Sequence, residues 1–195
     1  MGSLALPNPV TTVEYLEQEA AAAARSEYVD GIVYAMSGGT FRHSILGANT
    51  ILSLGSQLKG SKCRVATSDL KVWIPTAKTF YYPDVLVICE TPRYYPQRTD
   101  IIENPKVIVE VLSDSTENYD RGQKFRRYRS IPELRQYVLV SQNEALVEVY
   151  TRDDQGFWIL REYDGLESIA ILDSVNARLP LHDLYDGVDF EAVIE

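Results

Sequence analysis

The sequence predicts a mixed α/β domain with a largely central β-sheet and helices on its faces. The 195-residue chain alternates stretches of helical periodicity with strand-like runs, which is typical of this class. Two of these runs, 82–89 and 106–112, are apolar on both faces, as interior strands covered on both sides are. With 45% hydrophobic residues, the chain can bury a sizeable core. We expect a flexible tail over residues 1–9 and one domain over residues 10–195.

The first third of the chain predicts a helix, a β-hairpin and a second helix. Thr11 followed by Glu14 forms a capping-box pattern, and the helix it starts runs through the alanines to a point near Arg25. Asp30-Gly31 lies between two short apolar runs and predicts a tight hairpin turn. Residues 42–59 carry apolar side chains at helical spacing, with His43 in the first turn.

The remaining chain predicts strands around one further helix. A long connection over residues 90–105 contains three prolines. After the central strand, a helix is expected over about 117–130 and ends before Pro132. Strand-like runs fall at 63–67, 70–74, 81–89, 106–112, 136–140, 146–151 and 158–163.

Two acids interrupt the apolar strands. Glu110 is the one acid inside residues 106–112, and Asp84 stands at the entry of residues 82–89, just after Pro83. A carboxylate buried without a partner costs several kcal/mol, roughly, so a cation or a set of donors should meet it. If the two strands bring their acids together, they form a site for a hard divalent cation such as Mg²⁺, with the backbone carbonyl of Val111 as a third oxygen. The alternative to a metal site is purely structural. In it, Asp84 is a turn residue at the start of its strand, and Glu110 pairs with a buried Arg or Lys.

Three ordered motifs resemble the Uma-type family of restriction-endonuclease-like proteins, in the PD-(D/E)XK nuclease superfamily. They are Tyr82-Pro83-Asp84-Val85, Val109-Glu110-Val111-Leu112-Ser113 and Asp120-x-x-x-Lys124-x-x-x-Tyr128. The hairpin at 27–31, His43 and Leu179-Pro180-Leu181 also fit the family pattern, so the resemblance covers roughly residues 10–185.

The resemblance implies a restriction-endonuclease-like fold, with an N-terminal helix and β-hairpin, and cleavage of DNA phosphodiesters with Mg²⁺ or Mn²⁺. Asp84 and Glu110 would be the catalytic metal ligands. The superfamily lysine two residues after the second acid is replaced by Leu112, and the resemblance points to Lys124 as its substitute. Lys71, on one strand face with Asp69, is the competing candidate. Glu27 would add a third acid, as a helix-borne glutamate does in other superfamily members.

Several positions have a functional and a structural interpretation. His43 fits a phosphate contact or a helix cap. Basic residues of the 121–129 segment, Arg121, Arg126 and Arg127 among them, fit phosphate binding or an ordinary solvated helix face. In the connection, Arg93, Tyr94, Tyr95 and Arg98 fit stacking on bases or an ordinary ordered loop.

Composition narrows the function classes. A net charge of −9 disfavours a protein that coats nucleic acid, although a local basic face remains compatible with DNA binding. No long apolar run or signal-like N-terminus indicates a membrane partner, so a cytoplasmic protein is expected. Cys63 and Cys89 have no metal-ligand spacing and are expected as reduced core thiols.

These observations leave two main functions open. The first is a metal-dependent DNA endonuclease, and the second is a non-catalytic nucleic-acid-binding or regulatory module that retains the nuclease fold. A paired-carboxylate glycosidase is a distant third because the sequence shows no sugar-binding signal. Whether the chain acts alone or as a homodimer is left open.

Overall fold

The computed structural model describes residues 9–190, so nearly all of the expected tail and the last five residues of the expected domain lie outside the described part. The helices are α1 (Thr12–Ala21), α2 (Phe41–Leu58), α3 (Glu117–Tyr119), α4 (Phe125–Tyr128) and α5 (Leu181–Leu184). A π-helical turn (Asp120–Lys124) joins α3 to α4, and we call α3, this turn and α4 together the composite helix. The strands are β1 (Ser26–Val29), β2 (Ile32–Ala35), β3 (Cys63–Thr67), β4 (Lys71–Ile74), β5 (Thr79–Tyr81), β6 (Val85–Cys89), β7 (Ile101–Ile102), β8 (Val107–Val111), β9 (Gln136–Val140), β10 (Leu146–Arg152), β11 (Trp158–Asp164), β12 (Ile169–Leu172) and β13 (Ala177–Pro180).

The strands form a mixed central sheet and two smaller sheets. The six-stranded central sheet has the order β11-β10-β9-β8-β6-β3, in which only the β8–β9 pair is parallel. A five-stranded sheet, β2-β1-β5-β4-β7, carries the N-terminal hairpin, and β12 with β13 forms a two-stranded sheet. The predicted mixed α/β class with a central sheet and an N-terminal helix and hairpin is therefore confirmed.

The two faces of β8 have different partners. Val107, Val109 and Val111 belong to the apolar cluster that includes the inner face of α2. Ile108 and Leu112 belong to the opposite cluster, which includes Phe125 and Tyr128 of the composite helix. Because side chains alternate along a strand, Glu110 shares the face of Ile108 and points towards the composite helix. All five residues of β8 are buried, as the two-sided apolar pattern predicts.

Local sequence signals explain the N-terminal elements. The Thr11 hydroxyl accepts a hydrogen bond from the amide of Glu14, and the Glu14 carboxylate accepts one from the amide of Thr11, which forms the predicted capping box. Asp30 and Gly31 both have positive φ, at 44° and 96°, as a primed hairpin turn requires. The helix α1 ends at Ala21, earlier than the predicted end near Arg25, because Ala22 is extended and the chain turns to place Ser26 in β1.

The predicted strand over residues 81–89 is two strands in different sheets. Tyr81 ends β5 in the five-stranded sheet, and Val85 begins β6 in the central sheet. Pro83 has no amide to donate between them, and the amide of Tyr82 donates instead to the carboxylate of Glu27. This crossing between sheets places Asp84 at the start of β6.

The two cysteines form a disulfide, so the expectation of reduced thiols is wrong. Cys63 and Cys89 are direct partners in the antiparallel register of β3 and β6, with a Cα–Cα distance of 4.0 Å. The sequence separation of 26 residues gives no sign of this proximity, because it depends on which strands become neighbours.

Candidate active site

A cleft of about 1190 Å³ opens between the β1–β2 hairpin, the N-terminal end of α2, the entry of β6 and the composite helix. A cavity of this size holds a ligand well above the size of a single ion. Its wall carries a cluster of charged side chains: Glu27, His43, Asp84, Glu110, Asp120 and Lys124.

Asp84 and Glu110 lie on neighbouring strands. Val85 pairs with Val109 in the antiparallel β6–β8 ladder, and continuing this register by one residue sets Asp84 opposite Glu110. Directly opposed residues of an antiparallel pair project from the same face, with Cβ atoms about 4.5–5.5 Å apart. Both strands are internal to the central sheet, so the acids lie at strand ends rather than on a lateral edge strand.

Each carboxylate is oriented by its neighbours. The amide of Val111 donates to Oδ2 of Asp84 at 2.7 Å, and Nε2 of His43 lies 3.3 Å from the same oxygen. The hydroxyl of Tyr128 donates to Oε1 of Glu110 at 3.1 Å. These contacts fix two acids that the apolar strands alone would not hold in place.

Lys124 is the cation among these acids. Its Nζ lies 2.9 Å from Oε1 of Glu110, 3.4 Å from Oε1 of Glu27 and 3.6 Å from Oδ1 of Asp120. Both Lys124 and Glu110 are buried, with exposed fractions of 7% and 3%. The π-helical turn ends at Lys124, and such turns recur at functional sites of proteins.

Burial and charge set the protonation of the cluster. Burial raises the pKa of Glu110 well above its usual range, while Lys124 opposes this rise. Burial also opposes the charge on Lys124, but Glu110, Glu27 and Asp120 together hold its pKa well above the usual range. The pKa of Asp120 is raised, first by burial. A hydrogen bond to Asp84 raises the pKa of His43 against the effect of burial.

The family model Uma2, described as "Putative restriction endonuclease", matches residues 12–181. The chain belongs to the Uma2 family. Two uncharacterised proteins of Synechocystis sp. are 37% and 34% identical to it, over 91% and 80% of this chain and 92% and 88% of their own lengths. A crystal structure described as a putative nuclease belonging to DUF820, from Anabaena variabilis, superposes with a TM-score of 0.76 at 18% identity, over 92% of this chain and 99% of that one.

In this Uma2 chain, two of the predicted site residues lie away from the acids. Lys71 pairs with Asp100 at 3.5 Å and sits over the ring of Tyr82, 4.9 Å from its centroid. Asp69 contacts Arg25 and is largely exposed. Neither residue lines the cleft, whereas Glu27, His43 and Val111 do.

The predicted phosphate-binding arginines also lie outside the cleft wall. Arg121 pairs with Glu117 at 3.0 Å and contacts Glu148. Arg93 pairs with Glu103 and Glu133, at 3.3 and 2.7 Å. Arg126 is exposed, and the guanidinium of Arg127 donates to the carbonyl of Gln123.

The aromatic residues of the 90–105 connection are mainly structural. Tyr95 packs edge-on against Trp73 and Phe80, and Arg98 pairs with Asp100 at 2.6 Å. Tyr94 is 46% exposed but does not line the cleft. This arrangement agrees with an ordered loop, the plainer of the two interpretations.

Sequence reasoning missed the site roles of Tyr128 and Asp120. The sequence places both in the motif around Lys124 without assigning either a role in the site, yet both contact the buried cluster. The Asp120-x-x-x-Lys124-x-x-x-Tyr128 spacing is the available signal, because residues four apart share one side of a helix.

Two kinds of feature are not found within residues 9–190. No group of three or more His, Cys, Asp or Glu side chains has the arrangement of a metal centre. No helix in this part of the chain is both long and apolar enough to span a bilayer.

Proposed function

We propose that this Uma2 chain is a divalent-metal-dependent endonuclease of the PD-(D/E)XK type that hydrolyses DNA phosphodiester bonds. The observation that carries the proposal is the opposition of Asp84 and Glu110 across β6 and β8, with Lys124 at 2.9 Å from Glu110. The family model and the shared fold agree with nuclease chemistry.

The residues fit a magnesium-type site. Mg²⁺ is commonly held by one or two carboxylates, with water and substrate phosphate as its remaining ligands, so two acids suffice. The hydrogen bonds that orient Asp84 and Glu110 go to Oδ2 and Oε1. Since a carboxylate has two oxygens, Oδ1 and Oε2 are the donors we assign to Mg²⁺ or Mn²⁺. Val111, whose amide holds Asp84, would offer its carbonyl as a further ligand.

Bound there, the cation would supply Lewis-acid polarisation of the phosphate and activation of water. The chain's own residues supply the remaining functions. Lys124 would stabilise charge on the phosphate from the composite helix, in the place of the missing strand lysine. Leu112, at the superfamily lysine position, is a buried core residue of the cluster that packs on the composite helix. His43 orients Asp84 and faces the cleft, where it would contact phosphate.

The test is cleavage of supercoiled, linear and single-stranded DNA with Mg²⁺ or Mn²⁺ at low ionic strength. We expect Asp84→Asn and Glu110→Gln to lose at least about 100-fold in rate, because metal assistance supplies several kcal/mol of transition-state stabilisation. EDTA should abolish cleavage. Asp69→Asn is the matched control, since Asp69 lies outside the cleft, and it should cleave as wild type does.

A second candidate is a non-catalytic nucleic-acid-binding module. It is favoured by the contacts of the Lys124 ammonium with three acids, because these contacts compete with a phosphate for the same charge. Wild-type protein that binds DNA but cleaves no faster than Asp84→Asn and Glu110→Gln would support this candidate over the nuclease.

A further inference from the structure

Two exposed aromatic side chains stand on the wall of the cleft. Tyr34 is 50% exposed and Phe41 is 79% exposed, and both line the cavity that contains Asp84 and Glu110. The other aromatic residues of the wall have structural partners. The hydroxyl of Tyr82 donates to Glu19, and the hydroxyls of Tyr119 and Tyr81 lie 2.6 Å apart.

The backbone places these two rings on two different walls of the cleft, one on the β1–β2 hairpin and one at the start of α2. Tyr34 is the direct partner of Glu27 in the β1–β2 hairpin, so both side chains project from one face. Glu27 in turn contacts Lys124. Phe41 begins α2 two residues before His43, which contacts Asp84. Each ring thus lies on an element that also carries a residue of the site.

The charges of the cleft do not suit a long duplex. Its wall carries the acids Glu27, Asp84, Glu110, Asp114, Asp120 and Asp189, against the basic residues Arg42, His43 and Lys124. Duplex binding rests on many Lys and Arg contacts to phosphates along both strands. Proteins that bind unpaired nucleotides instead take much of their affinity from bases stacked on aromatic rings.

We propose that the cleft binds unpaired nucleotides, with bases stacked on Tyr34 and Phe41 and the connecting phosphate directed to the acids and Lys124. This inference rests on the proposed nuclease function for its placement of the phosphate. It makes single strands, flaps and frayed ends the preferred substrates. Bases inside an intact duplex are already stacked on each other and cannot reach either ring.

The binding test uses fluorescence anisotropy of a labelled single-stranded oligonucleotide and of the same sequence as a duplex, both in EDTA. Wild type should bind the single strand at least about tenfold more tightly. Tyr34→Ala and Phe41→Ala should each weaken single-strand binding by about 5- to 150-fold, the range for loss of one base–aromatic stack. Tyr34→Phe should keep wild-type affinity, because stacking needs the ring and not the hydroxyl.

Matched controls come from exposed aromatic residues outside the cleft. Tyr94 is 46% exposed and Phe157 is 65% exposed, and neither lines the cavity. Tyr94→Ala and Phe157→Ala should therefore bind as wild type does. Equal affinity for duplex and single strand, or equal losses in the cleft and control variants, would overturn the inference.

The two proposals fail in different ways. If the wild-type protein cleaves duplex DNA better than single-stranded DNA, the proposed nuclease function stands and the stacking role of Tyr34 and Phe41 is rejected. Preferential single-strand binding that depends on Tyr34 and Phe41, with no metal-dependent cleavage, keeps the stacking role and removes the nuclease. A dimer in sedimentation that Tyr34→Ala and Phe41→Ala dissociate, with unchanged DNA affinity, would assign the rings to a contact between copies and overturn the inference.

Discussion

Lys124 is a single side chain that contacts three acids of the cleft. At separations of 2.9 to 3.6 Å, its attraction to Glu110, Glu27 and Asp120 offsets the repulsion among the three acids. Its ammonium also lies 5.3 Å from the ring centroid of Tyr81, a cation–π distance. The same residue is therefore a catalytic candidate and a structural one, and the two roles require different measurements.

We expect Lys124→Ala to lower the free energy of unfolding by about 3–5 kcal/mol in EDTA, because removing one partner leaves buried acids uncompensated. Saturating Mg²⁺ should restore part of this loss, and stabilise the variant more than wild type, since a dication at the acids replaces the missing charge. Urea unfolding with and without Mg²⁺ measures both effects.

Lys62→Ala is the control for this measurement. Lys62 is 79% exposed and pairs with exposed Glu90, so its loss should change the free energy of unfolding by less than about 0.5 kcal/mol. A Lys124→Ala protein as stable as wild type would show that the cluster does not need its ammonium. Mg²⁺ that stabilises neither protein would count against a metal site at Asp84 and Glu110.

At this scale the sequence predicted the acids and Lys124, and it missed the roles of Tyr128 and Asp120. Glu110 could be found because a single acid stands out in a strand that is apolar on both faces. The four-residue spacing of Asp120, Lys124 and Tyr128 places these residues on one side of a helix. The convergence of three acids on Lys124 could not be read from that spacing, because it depends on a π-helical turn and on Glu27 from another element.

Among the elements, the 90–105 connection is more ordered than its prolines suggest. It contributes β7, which pairs in parallel with β4, and it brings Asp100 to the buried ammonium of Lys71. Arg98 donates two hydrogen bonds to Asp100, at 2.7 and 2.6 Å. The sequence indicated a long connection that fits either base stacking or an ordinary ordered loop, but the pairing between β4 and β7 lies outside what local periodicity can reveal.

The connection gives a pH-dependent prediction. Arg98 lowers the pKa of Asp100 to about 2, below an unfolded value of about 3.9. Ionised Asp100 therefore stabilises the fold above about pH 4, and this contribution is lost as the pH falls towards 2. We expect Asp100→Asn to be less stable than wild type at neutral pH, with a difference that shrinks across that interval.

Urea midpoints measured from about pH 7 to about pH 2 check this prediction. Asp154→Asn serves as the control, because Asp154 is exposed in the β10–β11 turn, and its difference from wild type should stay flat. A constant Asp100→Asn difference across the interval would show that the Arg98 pairing does not stabilise the charged form.

On the scale of the whole molecule, the distribution of charge differs from that of a protein that coats duplex DNA. The net charge is −9, and the arginines predicted to bind phosphate are paired with acids or lie off the cleft. The sequence could count these charges and place several of them on one helix. It could not show that Arg121 contacts Glu148, because Glu148 comes from β10, a distant strand of the central sheet.

The salt dependence of binding follows from this distribution. Each phosphate contacted in a single strand contributes a slope of about −0.7 to log affinity against log salt. The cleft wall carries three basic side chains, all of which already have partners. Lys124 contacts three acids, His43 contacts Asp84, and Arg42 donates to the carbonyl of Gln142. We therefore expect contacts to about two or three phosphates and a slope between about −1.4 and −2.1. We expect Arg126→Ala and Arg127→Ala to leave this slope unchanged, and Arg42→Ala to reduce it by about 0.7. Anisotropy titrations over a range of NaCl concentrations measure this slope. A wild-type slope steeper than about −4 that becomes shallower in Arg126→Ala would contradict the prediction, because the phosphates would then bind the outer face of the composite helix and not the cleft.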